Sequence, residues 1–137
     1  MRALQFAEEK RARNQGVKEP FVVGAVVDHG LCLDLTTKDS IEDLQSAYTS
    51  LEETFRVRAV QLPRNGPRSW MRFLDCAVLR RLHEVIEDSG SPSIDSVRGI
   101  FQEGKPIYPG SAFLEKTHIQ IAVMNLGCIK AVFRVAE

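Results

Sequence analysis

The stretch Phe113-Leu114-Glu115-Lys116-Thr117-His118-Ile119-Gln120-Ile121-Ala122-Val123 predicts a β-strand with two unlike faces. Side chains of an extended backbone alternate between faces. His118 and Gln120 therefore share one face, and Thr117, Ile119, Ile121 and Val123 share the other. So apolar a row is expected to be pinned into a core, which would hold His118 and Gln120 in fixed positions, as a binding site requires. A half-exposed sheet face also carries polar residues routinely. The pattern alone leaves both readings open.

Other extended segments surround this one. Phe21 to Asp28 is apolar and β-branched, too short for a buried helix, and suits a central strand. A turn at His29-Gly30 leads to a second short piece, Leu31 to Leu35, so the two read as a strand pair. Ser96 to Glu103 is strand-like, Thr117 to Met124 follows after a Pro- and Gly-rich loop, and Cys128 to Val135 closes the chain after a tight connection at Asn125-Leu126-Gly127.

Helices occupy the rest. Ala3 to Asn14 is rich in helix formers and stops at Gly16. Ile41, Leu44, Tyr48, Leu51 and Phe55 form one stripe of an amphipathic helix ending near Val60. Thr36 to Ser40 carry its start signals, and Ser40 with Asp43, or Asp39 with Glu42, can form a pair resembling a capping box. A second helix is expected over Ser69 to Asp88, with Trp70, Phe73 or Leu74, Ala77, Val78, Leu82, Val85 and Ile86 on its stripe. Strands flanking a helical block predict an α+β domain, a mostly antiparallel sheet packed by two long amphipathic helices. The 137 residues suit a single domain, 1–137.

Composition narrows the function classes. Eighteen basic and eighteen acidic residues cancel, so no global field draws the chain to nucleic acid, despite the arginines from Arg56 to Arg81. No stretch approaches the roughly 20 apolar residues of a membrane span. Three cysteines without short spacing argue against a disulfide framework and a zinc site, and read as buried free thiols in a cytoplasmic protein. His29, His83 and His118 lack metal-site spacing, so no metal is expected.

The candidate site gathers around His118 and Gln120. Glu115 lies just before them, and Arg98 interrupts an apolar strand, where a charge is costly unless paired or facing solvent. A salt bridge to Glu103 or Glu115 satisfies it; an anion-binding role is the alternative. Tyr108 could stack on a planar ring or simply pack in its loop.

Val23-Gly24-Ala25-Val26-Val27-Asp28, Cys32-Leu33-Asp34-Leu35, Leu74-Asp75-Cys76-Ala77-Val78, Val97 to Gly104 and Glu115 to Ile121 together resemble a family of small, largely uncharacterised bacterial proteins. That family is similar to the ADP-ribosyltransferase fold of the poly-ADP-ribose-polymerase type. The resemblance spans roughly Pro20 to Arg134. It implies NAD as cofactor, lying across a split antiparallel sheet, with a polar residue on a late strand to orient the ribose and stabilise an oxocarbenium-like transition state. Gln120 or His118 stands in that place as the catalytic candidate, with Glu115, Arg98 and Tyr108 as ligand-binding neighbours. Where relatives often carry glutamate, Gln120 has no charge.

The resemblance also implies a preceding strand-helix unit with a His-Gly-Thr-like motif, so the chain would begin inside the following helix. The resulting expectation is an incomplete transferase-like domain, weakly active or inactive. Its open sheet edge predicts self-association. The alternative is a non-enzymatic module that recruits a protein partner.

Overall fold

The computed structural model describes residues 2–12, 16, 18–67 and 71–135. The elements are α1 (Arg2–Ala12), β1 (Val23–Val27), β2 (Cys32–Asp34), α2 (Lys38–Val57), α3 (Phe73–Asp88), β3 (Ser96–Phe101), β4 (His118–Val123), a 3-10 turn (Leu126–Cys128) and β5 (Ile129–Arg134). They make a mixed α+β fold in two compact units. One holds α1, β1, the 3-10 turn and β5; the other, His29–Asn125, holds the remaining elements.

In the larger unit the polypeptide turns sharply after β2. The Asp34 carbonyl accepts hydrogen bonds from the Thr37 amide (3.0 Å) and hydroxyl (2.9 Å). Thr37, extended at φ −96° and ψ 152°, is thereby set as the N-cap of α2, its hydroxyl accepting the Ser40 amide at 3.4 Å. The start falls within the expected Thr36–Ser40 stretch, but the capping pair differs: neither Ser40 with Asp43 nor Asp39 with Glu42 forms the cap, because the turn at Asp34 sets Thr37 in that place. Helix α2 ends in a Schellman-type closure. Val60 donates to the Phe55 carbonyl (3.0 Å), Ala59 donates to that of Arg56 (3.1 Å), and Ala59 takes φ +51°.

Helix α3 starts at Phe73; the expected Ser69 and Trp70 lie outside the described residues. Its N-cap residue, Arg72, makes no side-chain cap. Asn65 caps from the preceding loop instead, accepting the amides of Leu74 (3.0 Å) and Asp75 (3.4 Å) and donating to Asp75 Oδ1 (2.7 Å).

The core joins Ala47 and Leu51 of α2, Val78 and Leu82 of α3, Leu33 of β2 and Ile94. Leu44, Tyr48, Phe55, Leu74, Ala77, Ile86 and Val97 pack against it. Ile41 and Val85, assigned to the helical stripes, are exposed. Arg81 ties the helices together, donating through Nε and Nη2 to Ser50 Oγ at 3.1 and 3.0 Å.

Strand order in this unit is β2-β3-β4, with β2 parallel and β4 antiparallel to β3. The parallel pair follows from the connection: α2 and α3 together form the crossover that adjacent parallel strands require. The expected pairing of the first two strands does not occur. β1 pairs instead with β5, antiparallel, in a separate two-stranded sheet. The short connection after β4 carries a 3-10 turn, Leu126–Cys128. In the two-stranded sheet the Phe133 ring lies over Gly24, in the space a Cβ would occupy. Helix α1 ends at Ala12, and Asn14, its expected end, lies outside the described residues.

The cysteines differ in environment: Cys128 is buried, Cys32 half-buried and Cys76 exposed. For Cys76 this corrects the buried reading. It sits on the solvent side of α3, between the core residues Leu74 and Val78.

Candidate functional site

Register decides the faces of β3 and β4. Gly99 lies opposite Gln120, Phe101 opposite His118 and Val97 opposite Ala122. These six residues share a face, and it is the one turned to the helices, because Val97 and its β2 partner Leu33 belong to the helical core. Ser96, Arg98 and Ile100 share the opposite face with Val123, Ile121 and Ile119. The expected core row therefore points away from the helices. Ile119 is 54% exposed and Ile121 39%. The anchoring that the isoleucines were expected to supply comes from Leu33 and Val97.

Beyond the strand ends the two arms remain bonded as a long hairpin. Lys116 donates to the Glu103 carbonyl (2.9 Å), Glu115 to Lys105 (3.0 Å) and Ile107 to Phe113 (3.0 Å). At its base the Phe101 and His118 rings stack, with centroids 6.0 Å apart and planes inclined by 24°. His118 Nδ1 lies 2.7 Å from the Lys116 carbonyl. A carbonyl can only accept, so the ring proton sits on Nδ1, and in the neutral imidazole Nε2 is the acceptor. Gln120, exposed, stands two residues along on the same face. Opposite it, Gly99 is buried beneath Leu35 and Phe101, whose nearest atoms lie 3.5 and 3.7 Å from where a Cβ would stand.

The other candidates fall elsewhere. Glu115 is on the returning arm, its carboxylate accepting the Lys105 amide at 3.4 Å. Tyr108 is at the hairpin tip, 56% exposed, seven residues beyond Phe101 and so up to about 23 Å away along an extended arm. Arg98 is on the opposite face. Its Nη1 donates to Asp34 Oδ2 at 2.6 Å and to Thr36 Oγ1 at 3.3 Å. Its partner is thus neither Glu103 nor Glu115, because the parallel register places Asp34 directly across from it. The amide and hydroxyl of Thr36, donating to the Asp34 carboxylate at 3.0 and 2.7 Å, hold it below its ordinary pKa, with Arg98 adding to the effect.

Two residues of this region escaped the sequence reading. Asp34 had a signal, since Asp followed two residues later by Thr is the pattern of a side-chain-closed turn. Phe101 had none, because its approach to His118 depends on register. A shallow depression of about 530 Å³ also lies at the C-terminal end of α2, lined by Thr49, Glu52, Phe55, Arg56, Val60 and Leu62 among others. Arg56 is bound there by Glu53, through Nε at 2.8 Å and Nη2 at 2.7 Å.

Among the described residues, no three His, Cys, Asp or Glu side chains gather as a metal site. No helix there is long and apolar enough to cross a membrane. No known family, curated protein or solved structure matches the chain.

Proposed function

We propose that the β3–β4 face bearing Phe101, His118 and Gln120 binds a dinucleotide of the NAD type, in an ADP-ribosyltransferase-like domain with little or no transfer activity. The observation that carries this reading is the stacked Phe101–His118 pair with Gln120 beside it on one face. An aromatic surface suits a planar base. The imidazole Nε2 and the carboxamide supply hydrogen-bonding groups for ribose hydroxyls or a ligand amide. Binding and turnover separate at Gln120, whose neutral amide cannot offer a carboxylate's charge to a developing cation. Arg98 is left out of this reading, since its charge is met by Asp34 on the far face.

Titration with NAD, followed by thermal unfolding, tests it. A ligand that binds only the native state must raise its stability, by about 1.4 kcal/mol at tenfold excess over Kd. The expected result is a rising midpoint, reduced in His118→Ala and Gln120→Ala. A flat response at millimolar NAD would refute the reading.

A second reading, a non-enzymatic interaction module, is favoured by the uncovered row Ile100, Ile119 and Ile121 on the opposite face of the same sheet.

A further inference from the structure

Among the described residues, β4 is an edge strand, paired only with β3. The bonds flanking its ladder set the phase. Met124 donates to the Asp95 carbonyl (2.8 Å) and Lys116 to that of Glu103 (2.9 Å), so the even-numbered residues between them direct their backbone groups at β3. Ile119, Ile121 and Val123 direct theirs outward, and these groups bond to no other described residue. The same three side chains lie on the face turned away from the helices, beside Ile100. His118 to Val123 contains no Lys, Arg, Asp, Glu or Pro, the residues that natural edge strands use to deter pairing.

We infer that β4 pairs antiparallel with β4 of a second copy of this chain, about a two-fold axis at Ile121, joining two three-stranded sheets into one of six strands. The register is self-complementary. With Ile121 opposite its own copy, Ile119 falls opposite Val123 of the second chain, and all three outward-pointing residues enter hydrogen-bonded positions. The β4 residues that meet on the isoleucine face, Ile119, Ile121 and Val123, are all β-branched, as cross-strand packing favours. On the other face Gln120 meets Ala122 and His118 meets Met124, so no like charges oppose. An isologous contact of this kind closes at two chains. The inference rests on the interaction reading and is independent of NAD.

The test uses the full chain. Sedimentation velocity over a concentration series is expected to show a monomer-dimer equilibrium. Ile121→Lys, which sets two ammonium groups face to face at the axis, is expected to raise the dissociation constant at least tenfold. Gln45→Lys, a charge on the exposed side of α2, is expected to leave it unchanged. Crosslinking gives a reading that does not need the lysine variant to fold. In a Cys76→Ser background, Ile121→Cys is expected to oxidise to a covalent dimer, since the axis puts the paired Cα atoms about 5.5 Å apart. Ile119→Cys is not, because its copy lies four residues away along the strand, about 13 Å. A monomer at every concentration, a dimer indifferent to Ile121→Lys, or equal crosslinking at 119 and 121 would overturn the self-pairing. The interaction reading has a separate test, loss of a heterologous partner's binding on Ile100→Ser.

Discussion

Arg98 and Asp34 face each other across the parallel β2–β3 pair, Nη1 to Oδ2 at 2.6 Å, and Asp34 at the same time closes the turn into α2 through Thr36. One carboxylate thus links the strand register to the start of the helical crossover. Neither partner is deeply buried, so the ion pair itself adds little. Its effect lies in the three groups that share the carboxylate.

This relationship predicts a pH dependence. The native state holds Asp34 below its ordinary pKa of 3.8, chiefly through the Thr36 hydroxyl and amide and then through Arg98. A depressed native pKa stabilises the fold above the unfolded-state value, and the contribution fades as pH falls through the native one. Asp34→Asn is therefore expected to be less stable than the parent at pH 6, with the gap closing as the pH falls below the ordinary value of 3.8. Urea unfolding at both ends of the range measures it, and a constant gap would contradict the assignment.

Asn65→Ala is expected to destabilise the larger unit by about 1–2 kcal/mol. It removes the acceptor for two orphan amides of α3 where Arg72 offers no replacement. Chemical denaturation of the two proteins measures the difference.

Ala59→Gly is expected to stabilise by about 0.5–1 kcal/mol. The φ of +51° carries a Cβ penalty that glycine does not have, at the position where helices most often end in glycine. The greater freedom of the unfolded glycine offsets part of the gain. A lower unfolding midpoint for the variant would show that the Schellman closure is not the native one.

Gly30→Ala is expected to cost about 2–4 kcal/mol. The residue has φ +56°, and its Cβ would enter the space held by the Asp95 carboxylate. That carboxylate accepts the Leu31 amide at 2.9 Å and Asn125 Nδ2 at 2.7 Å, so moving it breaks both hydrogen bonds as well. Asp95→Ala, measured in parallel, is expected to be destabilised less, since it leaves the backbone unstrained.

Local pattern carried far into the fold. The stripe Leu44, Tyr48, Leu51 gave α2 its buried side, and Leu74, Ala77, Val78, Leu82 did so for α3, because a 3.6-residue period needs no partner to be read. The helix ends were less legible. The Thr37 cap depends on the turn at Asp34, and the Asn65 cap on a loop that brings a side chain back from eight residues before Phe73. Strand pairing was the least legible, since β1–β5 and β2–β3 join segments more than sixty residues apart and nothing local marks such partners.

What the sequence determined by itself is which side chains travel together: strict alternation put His118 with Gln120, and Ile119 with Ile121, before any partner was known. Which of those two sets meets the helices was left to tertiary structure. The register of β3 with β4 and the burial of Leu33 and Val97 turned the polar pair towards Phe101 and left the isoleucines uncovered. A strand's period is a property of its own backbone, whereas the choice of inner face is a free-energy comparison across all three strands and both helices.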